Sequence, residues 1–175
     1  MDEWVDGVLA RARQAYGDLQ HPDDGFFALA LAEQPWRPVV DRLREFLTVE
    51  EWTDREDGVS FSYVLARPRR RREPAGPVWA LWLSAVGPYG LLGYGAAGSE
   101  LAREEVRIAP FPDGPPEQYR LFDVLLAAGV ELLSAEQVEL SVPEFRPFRA
   151  EPDAVPPPMF VLLFGDEDAP WRHAW

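Results

Sequence analysis

Carboxylates are concentrated in one segment, where five of eight consecutive residues are acidic. Paired carboxylates can act as general acid and base, and their oxygens bind calcium. A calcium loop follows D-x-[DN]-x-[DN]-G, and the residues from Asp54 to Gly58 depart from that pattern. No spacing marks one pair as acid and base, so the two interpretations are a solvated surface and electrostatic recognition of a basic protein. The candidate partner-binding residues are Glu50, Glu51, Trp52, Asp54, Glu56 and Asp57.

A glycine motif offers a second kind of chemistry. The residues Gly93-Tyr94-Gly95-Ala96-Ala97-Gly98 match G-x-G-x-x-G, in which glycines let the backbone approach a pyrophosphate. Such a site needs a strand directly before it and a long helix after it. Here Gly90 is predicted to break the strand, and the segment that follows ends at Pro110. Glycines that let a strand bulge or turn beside bulky neighbours are therefore the favoured interpretation.

Arginine is concentrated between two predicted strands, where five of the six residues from Arg67 to Arg72 are arginine. This positive segment could bind phosphate, RNA or an acidic partner. It has no interleaved aromatic residues on which bases could stack, and the rest of the chain is strongly acidic. We expect an exposed hairpin loop that pairs with the chain's own acidic surface.

Residues that commonly form catalytic centres are scarce. The chain has two histidines, no cysteine and no lysine, which excludes thiolate and Schiff-base chemistry. Neither Gly-x-Ser-x-Gly nor His-Glu-x-x-His occurs. We therefore assign no catalytic, cofactor-binding or metal-binding residue. The C-terminal tail contains Trp171 and Trp175, which either pack on the domain or anchor a partner.

Helices are predicted to come first. Apolar residues spaced by three and four predict a helix from Asp2 to Leu19, a short helix from Phe26 to Ala32 and a third that ends near Leu47. The period then changes to two, and Val49–Thr53 with Val59–Ala66 reads as a hairpin. The segment Val78–Ser84 is apolar on both faces, which is typical of a central buried strand.

The second half of the chain combines one longer helix with short strands. A strand at Leu91–Tyr94 is followed by a helix that begins after Asp113 and ends near Gly129. Ser134 and Gln137 have the spacing of a capping box. The apolar face of the helix is predicted to contain Tyr119, Phe122, Leu125 and Leu126. Two closing strands are predicted at Val138–Val142 and Phe160–Phe164.

These elements predict an α+β fold in one domain, residues 1–175, with a helical part (1–47) and a sheet-rich part (48–175). We expect an antiparallel meander of about five to six strands, with the N-terminal helices and the later helix on one face. The apolar fraction of 47% and the seven tryptophans support a folded core.

Charge narrows the classes of partner. The formal net charge is −13, which disfavours nucleic acid and anionic membrane as partners because both are polyanions. The acidic N-terminus and the absence of cysteine favour a cytoplasmic protein. The oligomeric state stays open.

The sequence thus has charge but no recognisable set of catalytic groups. In bulk properties it resembles bacterial immunity proteins that neutralise toxic enzymes, and small secretion chaperones or adaptors; the resemblance assigns no residue a role. We expect a non-enzymatic module that binds a basic protein. The alternative is a small-ligand or nucleotide-binding protein, or an enzyme, that uses Gly93–Gly98.

Overall fold

A six-stranded sheet and six helices make up most of the described structure. The computed structural model describes residues 3–55, 58–68, 78–95, 107–108, 116–147 and 154–165. A separate two-stranded ladder consists of β1 (Gly17–Asp18) and β2 (His21–Pro22). The strands of the main sheet are β3 (Thr48–Glu51), β4 (Ser60–Ala66), β5 (Val78–Ser84), β6 (Tyr89–Gly95), β7 (Arg107–Ile108) and β8 (Glu131–Leu132). The helices are α1 (Glu3–Tyr16), α2 (Gly25–Glu33), α3 (Arg37–Arg44), α4 (Pro116–Ala127), α5 (Ala135–Val138) and α6 (Met159–Phe164).

The strand order β3-β4-β5-β6-β7 is antiparallel throughout, and β8 pairs with β6. The predicted α+β class is confirmed, and so are the three N-terminal helices. The sheet is mixed because the β6–β8 pair is parallel. Strand β7 and helix α4 both lie between these two strands in the chain, which gives the connection the length that a parallel pair needs.

The central position predicted for Val78–Ser84 is confirmed, because β5 lies between β4 and β6. Its side chains alternate between two cores. Trp79 and Leu81 pack in a core with residues of α3 and α4, whereas Ala80 and Trp82 pack in a second core with residues of α1 and α6. The helices therefore cover both faces of the sheet, not the single face expected from the sequence. A strand that is apolar on both sides needs cover on both sides.

Gly90 does not end a strand, so the strand break predicted at this position is wrong. It lies within β6 and pairs with Leu83 on one side and with Leu132 on the other. A Cβ atom at Gly90 would meet Val130 Cγ1 at 2.6 Å. The glycine is needed because the chain around β8 packs closely over this point of the sheet.

The buried face of α4 differs from the predicted one. Leu125 is buried as expected, but Tyr119 and Leu126 are 56% and 60% exposed. Phe122 is only half-buried. The helix instead buries Gln118, Leu121, Val124 and Leu125. The predicted end of the helix is confirmed, because Gly129 follows it with a φ of +76°.

The segment after β8 confirms the capping box and corrects the predicted strand. Ser134 Oγ accepts from the Gln137 backbone N–H (3.2 Å), and Gln137 Oε1 accepts from the Ser134 backbone N–H (2.9 Å). Val138 lies in α5, and Ser141 forms only an isolated bridge with Pro158, so Val138–Val142 is not a strand. The capping box starts the short helix α5, and Val138 lies in that helix.

The predicted closing strand at Phe160–Phe164 is also wrong, because these residues form α6. All six residues of α6 are buried. Its last carbonyl groups accept hydrogen bonds from hydroxyls of other elements. Tyr16 Oη donates to Leu162 O (2.7 Å), Ser84 Oγ to Leu163 O (2.6 Å) and Ser60 Oγ to Phe164 O (3.0 Å). An apolar helix end can be buried here because three hydroxyls replace water as donors.

We expect Ser84→Ala to lower the free energy of unfolding by about 1–3 kcal/mol, because a buried carbonyl loses its donor. The Ser84 hydroxyl also accepts from the Val86 N–H (3.1 Å), which adds a second unpaired group. Urea denaturation followed by circular dichroism measures the change. Ser141→Ala is the matched control, since Ser141 is exposed. Equal stability of the two variants would contradict the role given to the Ser84 hydroxyl.

Candidate partner-binding edge

The acidic segment forms an edge of the main sheet. Strand β3 is the first strand in the order and pairs only with β4 among the strands described. The register places Glu50 opposite Val64 and Glu51 opposite Tyr63. The pairing continues to Trp52, whose N–H donates to the Ser62 carbonyl oxygen (2.7 Å). At Thr53 it ends, because the Thr53 hydroxyl instead accepts from the Ser62 N–H (3.2 Å).

The register also determines which backbone groups point away from the sheet. In an antiparallel ladder, residues that exchange hydrogen bonds alternate with residues that do not. Because Trp52 is bonded to Ser62, Thr48 and Glu50 direct their backbone groups toward β4. Val49 and Glu51 therefore direct their N–H and C=O groups to the open side. The sequence alone does not show which backbone groups of β3 are unpaired, because this depends on how β3 is aligned with β4.

The candidate side chains divide between the two faces of the strand. Opposite residues of an antiparallel pair lie on the same face, so Val49 and Glu51 share the face of Leu65 and Tyr63, which belong to the core beneath α3 and α4. Glu50 and Trp52 lie on the other face. The candidate residues Glu50, Glu51, Trp52 and Asp54 are all exposed. Glu56 and Asp57 lie outside the described residues.

The carboxylates of this edge are not equally available. Arg55 Nη2 donates to Glu51 Oε1 at 3.1 Å, which compensates part of that charge. Asp54 also takes part in an interaction within the chain. Glu50 forms no ion pair with any described residue. Among the described carboxylates of this edge, Glu50 is the one for which no hydrogen bond or ion pair with a described residue is found.

The negative charge of Glu51 affects the pKa of Tyr63, the residue opposite it in β4. Burial, and secondly the Glu51 carboxylate, raises the pKa of Tyr63 to about 12, while Arg44 and Arg55 act in the opposite direction. Tyr63 is 4% exposed and packs in the core beneath α3 and α4. The acidic strand β3 therefore pairs with a strand whose opposite residues on this face, Tyr63 and Leu65, are buried.

The first two glycines of the G-x-G-x-x-G motif lie in a strand, not in a turn as in a phosphate-binding loop. Gly93 and Gly95 lie inside β6, opposite Ala80 and Val78 of the neighbouring strand. A phosphate cradle needs free backbone N–H groups at a turn, whereas these two glycines stand in a paired strand. Ala96, Ala97 and Gly98 lie outside the described residues.

The first residue of the arginine segment pairs with an acidic side chain of the chain itself. Arg67 Nε donates to Glu117 Oε1 at 2.9 Å, and Arg67 Nη2 contacts the same oxygen. This hydrogen bond holds the pKa of Glu117 below its ordinary value. The prediction of pairing with the acidic surface is confirmed for Arg67. Residues 69–72 lie outside the described ranges.

The described residues include no cluster with the composition of a metal site, because no three His, Asp or Glu residues among them come together in a way that could hold a metal ion. His21 is exposed and contacts Asp18 at 3.0 Å. This hydrogen bond is the main cause that lowers the pKa of Asp18. His173, Trp171 and Trp175 lie outside the described residues.

Comparison with known proteins adds no relative. No protein-family model, no curated protein and no solved structure matches this chain. Among the helices described, none combines the length and apolar character that a membrane span requires.

Proposed function

We propose that the protein is a non-enzymatic binding module that holds a basic protein against the edge formed by β3. The supporting observation is that an open sheet edge carries exposed Glu50, Glu51 and Asp54 next to an exposed tryptophan. A role of the immunity or inhibitor type in the cytoplasm, against a basic effector, is the form of this function that we favour.

The charge distribution supports a basic partner. The net charge of −13 gives the whole chain a negative field, which accelerates encounter with a cationic surface. Glu50 lies on the strand at the sheet edge without an ion pair to any described residue. A cationic group at this position would gain an ion pair without displacing any described residue from Glu50.

Trp52 supplies the apolar part of the proposed surface. Its side chain is 56% exposed, although the Trp52 backbone is held by the sheet. Tryptophan is enriched among residues that dominate binding energy at interfaces. Its ring can also accept a cation on its face. Trp52 and Glu50 share one face of β3, so one basic side chain could contact both.

Reversing the charge of the edge is expected to slow association. In the double variant Glu50→Arg with Asp54→Arg, we expect the association rate at low salt to fall by about tenfold or more, because long-range attraction becomes local repulsion. The tagged full chain first captures the basic protein from a cell extract. Stopped-flow fluorescence then measures the rate at several salt concentrations.

The matched control reverses two exposed glutamates elsewhere, Glu33→Arg with Glu136→Arg. Both double variants change the net charge equally, so only the location differs. The proposal requires the edge variant to be slower than the control. Equal rates, or capture of no basic protein, would overturn it.

A further inference from the structure

We infer that the basic partner adds an extended segment to β3 as a further strand of the sheet. This inference rests on the proposed function and specifies how the partner is held. An edge strand presents unpaired backbone groups that can template another strand. In this protein those groups belong to Val49 and Glu51, as the register with β4 determines.

The length and chemistry of β3 fit this use. The strand runs over four residues and its pairing extends to Trp52. Neither proline nor a covering strand blocks the outer side among the described residues. The outward N–H and C=O groups of Val49 and Glu51 can exchange hydrogen bonds with one incoming strand.

The carboxylates decide which strand can join. If a second copy of this chain paired its β3 antiparallel to the first with Val49 opposite Glu51, the two Glu50 side chains would face each other across the new ladder. Like charges directly opposite one another are destabilising. A segment whose alternating arginine or lysine residues lie on one face meets the opposite charge there, from Glu50 or from Glu51 according to the face. In that register the edge favours a basic segment over a second copy.

The test separates backbone pairing from charge. Glu51→Pro removes an N–H that points to the open side and leaves the bonds to β4 intact, because proline is tolerated on an edge strand at such a position. Glu51→Gln removes the same charge and keeps the N–H. We expect Glu51→Pro to bind a peptide of five Arg-Thr repeats about tenfold more weakly than Glu51→Gln, because one strand bond is lost and the ring obstructs the edge.

Amide hydrogen exchange of the full chain provides a second readout. When the Arg-Thr peptide binds, exchange at the Val49 and Glu51 amides should slow. The Glu50 and Trp52 amides already point toward β4 and should change little. The same peptide with an N-methyl group on every residue keeps its charge but donates no backbone hydrogen bond from either edge, and its methyl groups obstruct both edges, so it should give no protection.

The outcomes distinguish the inference from the proposed function. Equal affinity of Glu51→Pro and Glu51→Gln, unchanged exchange at Val49 and Glu51, or no binding of the peptide would overturn strand addition. The proposed function would still stand if the captured basic protein responded to charge reversal at Glu50 and Asp54. Dimerisation of the chain alone, abolished by Glu51→Pro, would show that a second copy occupies the edge and would likewise overturn the inference.

Discussion

Gly165→Ala is expected to lower the free energy of unfolding by about 3 kcal/mol, through backbone strain and a steric clash that act together. Gly165 follows α6 with a φ of +77°, a conformation that L side chains rarely adopt. An added Cβ would meet Val59 Cγ2 at 2.6 Å and the Val59 backbone nitrogen at 3.0 Å. Urea denaturation monitored by tryptophan fluorescence measures the change.

Two other glycines separate these causes. Gly129 has a φ of +76° but open space around its Cα, so Gly129→Ala should show only the backbone strain, about 1–2 kcal/mol. Gly7 has open space and lies within α1, so Gly7→Ala should raise stability by about 0.5–1 kcal/mol. If Gly165→Ala were no more destabilising than Gly129→Ala, the contact with Val59 would not matter.

Phe160→Ala is expected to cost about 3–5 kcal/mol of unfolding free energy, because it removes a large side chain from a closed core. Phe160 is 1% exposed, and its ring centroid lies 5.2 Å from that of Phe164. Both rings belong to the core shared with α1 and with one face of the sheet. Thermal and urea denaturation, compared with the unaltered chain, measure the loss.

The matched control is Leu126→Ala on the outer side of α4, where the side chain is 60% exposed. Its effect should stay within about 0.5 kcal/mol. If Phe160→Ala were as mild as this control, α6 would not be part of the core. A far larger effect of Leu126→Ala would instead show that the exposed face of α4 is covered.

Local patterns were enough to predict much of the fold. The spacing of apolar residues predicts α1. Alternation of apolar and polar residues predicts β4, and a run of apolar residues predicts β5. The capping box at Ser134 was also correct, since it involves residues three apart. Each of these signals lies within one element, so the sequence of that element contains it.

The candidate edge was predicted only in part. The concentration of carboxylates around Trp52 is visible in the sequence. That β3 is an edge strand, and that Val49 and Glu51 carry its open backbone groups, depends on strand order and register. Arg55 partly compensates the charge of Glu51, whereas no described residue forms an ion pair with Glu50, a difference that spacing alone does not show.

The sequence by itself determined the helical start, the buried central strand, the acidic segment around Trp52 and the lack of a recognisable catalytic motif. The tertiary structure decided that Met159–Phe164 is a helix, because hydroxyls of Tyr16, Ser60 and Ser84 from distant elements satisfy its carbonyl groups. It also decided that Gly90 stays within a strand. A short apolar run suits either a helix or a strand, and which one forms depends on the donors and the space that the rest of the fold provides.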